Sequence, residues 1–430
     1  DAVELDEVEA AALFLSSESH AHLLDRKPLI AAIMLFHERR QFLLECLRLI
    51  LCESLEVERE GTQELMQEMM AHVLEIKDRP LRNASLFTRK CMDSMADIEK
   101  WLSMLAEQAQ KVTVVGTAED IDTMEAIDFQ RLSLLQQHES LGAILCYLFK
   151  GPYTSSEELR HLLNRLRKLD RFDGLLVHYI PSVIASFAQH GSPEGSGSLK
   201  EARSLHTAVT STKDGQTWNL PTFHAAVIAL WLATYSGWYF DLGPSSPLQG
   251  VDLEKESEAR IKMFMSALDD GGLDFMLAIC SGVNNEEWGD PARSELVSLL
   301  LKESAASIPE TEFCSGYLKT LLMENFEIFA ESCVANMPDA VRMLKSDEDS
   351  QRLDQITALR DGFTSSLHRG IVEARTHLES FLMVIAFAFA GRPEAAQEFW
   401  ADPDGNLYGF LQWASKRQTV PRVSAFCEVL

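Results

Sequence analysis

The segment closest to a catalytic motif is His138–Gly142, which reads HESLG. It begins like the H-E-x-x-H motif of zinc proteases, in which two histidines on one helix face bind the metal and the glutamate acts as a base. Gly142 stands where the second histidine belongs. Without that ligand the zinc site cannot form, and we interpret His138 as a histidine with a structural role.

Two other clusters contain residue types that bind metals. Ser19–Asp25 (SHAHLLD) has two histidines separated by one residue. Such residues point in different directions from a helix, so we interpret the segment as an N-terminal cap. Asp402–Gly405 (DPDG) resembles the start of a calcium loop, but its glycine comes too early and Trp413 replaces the bidentate glutamate. We predict a turn between two helices there.

The motifs of other common enzyme classes are absent from the sequence. It contains no G-x-S-x-G nucleophile motif, no Walker loop and no G-x-G-x-x-G motif after a strand. We therefore predict a protein that is not an enzyme and has no catalytic residue, cofactor or metal. An enzyme with an unrecognised site is an alternative, which a strongly perturbed carboxylate or histidine in a deep pocket would support.

Helical patterns follow one another along the whole chain. In Pro28–Glu53, apolar residues recur at three- and four-residue steps, and Asp25 suits the N-cap position. Lys111–Thr117 (KVTVVGT) is the one β-branched run, and we interpret it as a loop or a helix end. The same helical spacing of apolar residues predicts further helices at Gln63–Lys77, Leu86–Gln110, Met124–Phe149, Ser156–Leu169, Gly174–Gln189, Leu199–Thr210, Leu220–Trp238, Leu253–Asp269, Leu273–Ser281, Pro291–Ser304, Phe313–Asn336, Pro338–Lys345, Ser350–Phe389 (two helices), Pro393–Trp400 and Leu407–Lys416.

These helices predict an all-α fold. Helices joined by short loops are typical of helix pairs stacked in a row, at about 40 residues per pair. No signature repeats at fixed spacing, so we predict a right-handed α-solenoid, a superhelix of irregular HEAT- or armadillo-like repeats; a globular helical bundle is the alternative. Gly191–Gly197 (GSPEGSG) has the composition of a flexible linker. We place N-terminal repeats in residues 1–190 and continuing repeats of the same solenoid, truncated at their C-terminal end, in residues 198–430.

The charge of the chain favours some partners over others. Lys plus Arg is 39 and Asp plus Glu is 65, so the net charge is −26. Such a field repels nucleic-acid phosphates and anionic lipid surfaces and favours basic peptide segments, although it could simply keep a large apolar assembly soluble. The longest apolar runs, Phe223–Trp238 and Phe381–Ala390, are too short or too interrupted to span a membrane. We predict no nucleic-acid partner and no membrane insertion.

The eight cysteines occur singly, without a C-x-x-C motif. Cys46, Cys146, Cys280 and Cys333 lie in apolar helical stretches, where a buried reduced thiol behaves as a small hydrophobic side chain. This usage predicts a reducing compartment, cytosolic or nuclear. Because the chain starts without Met and ends in an apolar helix-like stretch, Val420–Leu430, we expect a fragment of a longer protein.

Aromatic residues crowd two regions, Trp218–Phe240 and Phe399–Trp413. Most aromatic residues at helical spacing belong to a core. Trp400 differs because it ends a short predicted helix beside a polar turn, and tryptophan is enriched at binding hot spots. We predict a partner-binding site formed by Trp400, Tyr408, Phe410 and Trp413.

Several segments resemble one protein family. Gly391–Lys416 (GRPEAAQEFWADPDGNLYGFLQWASK) is similar to a segment of the largest inner-ring scaffold nucleoporins of the nuclear pore complex, the nucleoporin one-ninety-two and two-oh-five family. The shared pattern is R-P-E, then F-W with an acidic turn, then Y-G-F and a tryptophan. The sibling one-eighty-eight scaffold nucleoporins share this architecture. Further segments that resemble the family in the same order are Glu38–Leu51, Arg131–Gly151, Leu162–Phe187 and Phe223–Tyr239.

The resemblance implies an α-helical superhelix with a structural place in the inner ring, in the nucleus at the nuclear envelope, in support of protein and mRNA transport. It implies that the partners are other nucleoporins, bound through short linear motifs of disordered linker nucleoporins. Basic or phenylalanine–glycine segments are further candidates. An importin-like soluble transport receptor or HEAT-repeat adaptor would share the helices, acidity and size, and is the alternative.

Overall fold

A computed structural model of the chain describes residues 6–24, 27–55, 60–74, 80–115, 118–170, 173–211, 217–240, 246–283, 290–302, 304, 314–346, 376–416 and 420–430. The regular structure within these ranges is helical and contains no β-strand, which confirms the predicted all-α class. The chain divides into two compact units, Asp1–Glu158 and Leu159–Leu430. The grouping of repeats predicted on either side of residues 190–198 stays a prediction.

The first unit consists of long helices. α2 packs against α1, α3 and α5, and α4 packs against α5. Between α2 and α5, Gln137 Nε2 lies 3.2 Å from His37 Nδ1 in a buried polar contact. The helices are α1 (Glu7–Leu24), α2 (Pro28–Leu55), α3 (Glu60–Val73), α4 (Pro80–Val115) and α5 (Ala118–Lys150).

The second unit consists mostly of shorter helices. α6 (Ser156–Leu166) begins in the first unit and continues into the second. A 3₁₀ turn, Ser236–Tyr239, extends the fourth of the remaining helices. These are α7 (Gly174–Val177), α8 (Ile180–Gly191), α9 (Leu199–Thr210), α10 (Pro221–Tyr235), α11 (Leu253–Asp269), α12 (Gly272–Gly282), α13 (Pro291–Leu300), α14 (Gly316–Asn336), α15 (338–346), α16 (His377–Phe389), α17 (Pro393–Ala401), α18 (Asn406–Ala414) and α19 (Val420–Val429).

The core of the second unit forms around α10. This helix is apolar over nearly its whole circumference, so it requires neighbours on several sides. It packs against α8, α9, α11, α12 and α14. Trp231 in its centre is fully buried, and its indole Nε1 donates to His206 Nδ1 at 3.1 Å. α16, equally apolar, packs against α12, α14, α17 and α19.

Local sequence signals account for most helix ends. The bounds of α9 and α11 agree with the prediction because both begin at a capping side chain. At α9, Ser198 and Glu201 form a reciprocal capping box. The predicted turn at Asp402–Gly405 is confirmed, since it connects α17 to α18.

Of three further local predictions, one is wrong, one is confirmed only in part and one, at the β-branched run, is confirmed. Ser19–Leu24 form the last part of α1, so the predicted N-terminal cap is wrong, and Asp25 lies outside the described residues. The sequence failed to predict α1 because its apolar residues do not gather on one face. Of the predicted Ser350–Phe389 helices, His377–Phe389 is confirmed and residues 350–375 lie outside the described residues. The β-branched run was predicted to be a loop or a helix end, and its described part, residues 111–115, forms the end of α4, which confirms a helix end.

The cysteines lie among the described residues as free thiols. Cys146, Cys280 and Cys333 are buried, as predicted, and burial raises the pKa of the Cys280 and Cys333 thiols. Cys46 is exposed, so the prediction that it is buried is wrong. It lies on the face of α2 that also exposes Phe42 and Leu49. Within the described residues, no helix combines the length and apolar character needed to cross a lipid bilayer.

The predicted flexible linker Gly191–Gly197 instead packs against the end of α8. The Gly197 amide donates to the Gln189 carbonyl at 3.3 Å, and the Gly195 amide donates to the Ser192 carbonyl at 3.2 Å. A Cβ at Gly191 would lie 2.7 Å from Cζ3 of Trp231. Because these glycines have no side chain, the backbone of this segment can lie close to Trp231 and to the end of α8.

Gly191→Ala is therefore expected to destabilise the second unit by roughly 1–3 kcal/mol, because the added methyl group overpacks a rigid indole. Thermal unfolding measures this as a lower Tm. Gly316→Ala is the matched control, since a Cβ there meets nothing within 4 Å. Equal Tm values for the two variants would contradict the packing explanation.

Candidate partner-binding groove

The second unit has an open groove of about 840 Å³. One wall is α14, from Glu327 to Asn336, and the opposite wall is α17 with the turn that follows it. Ser192–Glu194 and Phe240, which follow α8 and the 3₁₀ turn, also line the groove. A groove of this size accommodates several side chains of an extended peptide.

Acidic side chains dominate the polar lining. The lining includes no lysine or arginine among the described residues. Arg392 lies at the edge and pairs with Glu327, with Nη1 at 2.5 Å from Oε2. The groove therefore has a negative potential that attracts cationic groups. Its carboxylates are Glu194, Glu327, Glu331, Glu398 and Asp402.

Two of these carboxylates lie one turn apart on α14. The pKa of the Glu331 carboxyl is raised, because partial burial and then the negative charge of Glu327 disfavour its ionised form. A lysine or arginine side chain bound beside Glu331 would relieve that repulsion. The geometry thus favours a cationic occupant over a neutral one.

Apolar side chains line the groove together with the acidic ones. Phe240 is 54% exposed and Ile328 is 40% exposed. Phe389, Phe399 and Tyr408 are half-buried and present part of their rings to the same groove. Exposed aromatic surface is typical of a site that binds another protein segment.

Trp400, the central residue of the predicted site, lies at the end of α17 beside this groove. Its side chain is 45% exposed. Its ring centroid lies 4.9 Å from that of Phe399 and 5.8 Å from that of Tyr408, and both of these residues line the groove. The structure thus brings Trp400 and Tyr408 together, with Phe399 as a third member.

Phe410 does not belong to this cluster. It is 5% exposed and packs edge-on against Phe381, with centroids 5.7 Å apart. It shares one helix face with three other buried residues, Leu407, Leu411 and Ala414. Phe410 is therefore a core residue and not a partner contact, which corrects the prediction.

Trp413 also lies away from the groove lining. The Lys345 ammonium is 4.4 Å from the centroid of its ring and donates to its carbonyl oxygen at 2.8 Å. Lys345 thus covers much of the half-buried indole. Trp413 connects α18 to α15 instead of forming part of the Trp400 cluster.

Comparisons with known proteins identify the family. Its sequence model, described as nuclear pore complex scaffold, nucleoporins 186/192/205, matches residues 1–430. The chain belongs to this nucleoporin family. Nucleoporin NUP192 of Chaetomium thermophilum is 34% identical over 448 residues, which cover 100% of this chain and 24% of that protein. Nucleoporin nup186 of Schizosaccharomyces pombe is 21% identical over 444 residues, covering 100% of this chain and 25% of that protein.

Membership of the nuclear pore complex scaffold family confirms the resemblance predicted from the sequence. The chain spans about a quarter of the length of these two relatives. The segment that carried the resemblance, Gly391–Lys416, contains α17, α18 and the turn between them. The same segment contributes Glu398, Phe399, Asp402 and Tyr408 to the groove.

The HESLG motif has a structural setting in this nucleoporin. His138 is buried in α5, and its Nε2 lies 3.3 Å from Glu99 Oε1 of α4. The pair joins two helices of the first unit. Within the described ranges, no group of three His, Cys, Asp or Glu side chains is arranged to hold a metal ion.

Several lining residues were missed by the sequence prediction. Glu327 and Glu331 lie one turn apart on a helix, and this spacing of acidic residues could have indicated an acidic stripe. Phe240 belongs to the other aromatic region, about 160 positions before Trp400, and no local signal connects the two. The packing of α14 against α10 and against the 3₁₀ turn before Phe240 brings Phe240 to the same groove as the Trp400 cluster.

Proposed function

We propose that this chain is part of the structural scaffold of the nuclear pore complex and that its groove binds a short, basic segment of another nucleoporin. The observation that carries the proposal is the groove itself, with carboxylates on both walls and the Trp400 cluster at its side. Disordered segments bind in such grooves by inserting a few side chains. Linker nucleoporins with disordered linear motifs are the proposed partners, at the nuclear envelope.

We also propose that the helices continue an α-solenoid of irregular HEAT- or armadillo-like repeats. Support comes from the packing of helices against close neighbours in sequence, as α10 does with α8, α9, α11 and α12. Such stacking leaves grooves along the array. A scaffold role requires no catalysis, and we propose that the chain is not an enzyme.

Direct titration tests the proposed function. Fluorescently labelled disordered segments of linker nucleoporins are added to the chain, and Ran–GTP is added in a parallel experiment. Micromolar or tighter binding of a basic linker segment, without Ran–GTP binding, is the expected result. Tight binding of Ran–GTP with no binding of any linker segment would favour the importin-like receptor instead. A phenylalanine–glycine segment in the same assay tests whether the chain also binds segments of that class.

Neutralising groove charges is expected to weaken binding of a basic segment. Glu331→Gln combined with Glu398→Gln removes two lining carboxylates, and each exposed ion pair contributes about 0.2–1 kcal/mol. We expect Kd to rise by roughly threefold to tenfold at low salt, with the difference shrinking as salt increases.

Glu394→Gln is the matched control for this pair, because Glu394 lies on the same helix as Glu398, is exposed, and does not line the groove. Titrations of all variants with one basic segment, at two salt concentrations, make the comparison. If Glu394→Gln weakens binding as much as the groove variants, the effect comes from net charge and the groove is not the site.

A further inference from the structure

A second cavity of about 200 Å³ adjoins the groove. The two share Phe240 and Asn336 as lining residues, so they meet at this wall. Arg260 of α11 lines the second cavity, opposite the start of α15. The second cavity thus places a cationic group next to a groove whose own lining is acidic.

Arg260 is held firmly in place. Its Cζ lies 3.6 Å from the centroid of the Tyr239 ring, a close cation–π contact. The Tyr239 hydroxyl in turn donates to Glu256 Oε2 at 3.1 Å and lies 3.0 Å from the Tyr235 hydroxyl. These contacts fix the plane of the guanidinium, so its donors point in defined directions.

Two buried hydrogen-bond donors line this cavity without a partner in the described part of the chain. Arg260 is 9% exposed, and its buried Nη1 has no hydrogen-bond partner within the described part of the chain. The buried Ser236 hydroxyl on the same cavity also has none there. Tyr239 and the nearby negative charge of Glu256 stabilise the rest of the guanidinium, but its buried Nη1 still lacks an acceptor within the described residues. A buried donor without an acceptor is costly, so a ligand that supplies an acceptor oxygen there would bind more tightly.

The other residues that line this cavity indicate which kind of anionic ligand it can bind. Asp339 contributes a carboxylate, but it is exposed and pairs with Arg342 at 2.8 Å. Since both Asp339 and Glu256 place negative charge near this one arginine, the cavity suits a monoanion better than a phosphate dianion. The apolar walls, from Leu253, Ile261, Met337 and Pro338, suit the methylene groups of an aspartate or glutamate side chain.

We propose that the Arg260 cavity binds the carboxylate of an aspartate or glutamate in the same segment that occupies the groove. Its two oxygens accept hydrogen bonds from the Arg260 guanidinium and the Ser236 hydroxyl. This proposal rests on the proposed function of the groove. It adds that the bound segment carries a basic residue for the carboxylate-lined groove and an acidic residue beyond Phe240, which fixes the direction in which the segment lies.

A phage-displayed library of random 16-residue peptides, selected on the immobilised 430-residue chain, tests this proposal. The selected peptides are expected to contain a basic residue and, at a fixed distance from it, an aspartate or glutamate. Selection on Arg260→Gln should lose the acidic preference and retain the basic one. An acidic preference that is equal on both chains, or absent on the wild-type chain, would overturn the proposal.

A peptide substitution keeps the test independent of how Arg260→Gln folds. One selected peptide is resynthesised with asparagine in place of its aspartate, or glutamine in place of its glutamate, and titrated against the wild-type chain. Loss of the charge-assisted hydrogen bonds should raise Kd about tenfold or more. An unchanged Kd rejects the Arg260 cavity as the binding site for the carboxylate.

The two proposals fail in different ways. If peptides are selected and depend on Trp400 and Glu331 but show no acidic preference, only the Arg260 proposal is rejected. If no peptide is selected on the wild-type chain, the groove does not bind segments and both proposals are rejected.

Discussion

Trp400→Ala is expected to weaken the binding of a linker-nucleoporin segment by about 2 kcal/mol, roughly a thirtyfold increase in Kd. The indole is 45% exposed and rests against Phe399 and Tyr408, two rings that line the groove. It therefore offers a large apolar surface that is already ordered before the segment binds. Ordering a side chain on binding costs free energy, and a packed tryptophan avoids most of that cost.

Two other aromatic variants serve as comparisons for Trp400→Ala. Trp413→Ala removes an indole that lies under Lys345, away from the groove, so we expect little change in Kd. Phe410→Ala empties a core position and should lower stability by about 3–5 kcal/mol. Isothermal titration measures the affinities, and thermal unfolding measures the stabilities. The hot-spot assignment fails if Trp400→Ala lowers Tm as much as Phe410→Ala does, or leaves Kd unchanged.

The contrast between Trp400 and Phe410 shows what the spacing of apolar residues in the sequence can predict about burial. Trp400 was expected to be exposed because it ends a helix beside a polar turn, and it is. Phe410 was assigned to the partner site with it, although Leu407, Phe410, Leu411 and Ala414 follow the three- and four-residue spacing of one buried face. Counting that spacing would have placed Phe410 in the core. The error came from judging aromatic residues by their clustering along the chain.

Other features of the site have no local signal at all. The groove joins α14 and α17 to the ends of α8 and α10, and the choice of which helices pack together depends on the shapes of many side chains. In the sequence, nothing distinguishes Arg260 from an exposed arginine on an amphipathic helix. Its burial follows from the packing of α11 against α10 and its stacking on Tyr239. Periodicity predicts which face of a helix is buried, but not which partner buries it.

The first unit is expected to lose about 3 kcal/mol of stability between pH 6.5 and pH 4 because of one histidine. His37 is 1% exposed, and burial and then the nearby Arg40 lower its pKa from 6.5 to about 4. Its Nδ1 accepts a hydrogen bond from Gln137, which requires the neutral ring. Above pH 6.5 both the folded and the unfolded chain hold this histidine neutral, so it has no effect on stability there.

As the pH falls below 6.5, the unfolded chain gains a proton on His37 that the folded chain takes up only near pH 4, and the equilibrium shifts toward unfolding. His37→Asn is the control, because the asparagine oxygen replaces Nδ1 as the acceptor for Gln137 and does not titrate. Urea unfolding of both chains between pH 7.5 and pH 4 gives the free energies. Carboxylates titrate in both chains alike, so the difference between the two pH profiles isolates His37. Parallel profiles would show that the pKa of His37 is the same in the folded and the unfolded chain, and the neutral, buried Gln137–His37 contact would then be wrong.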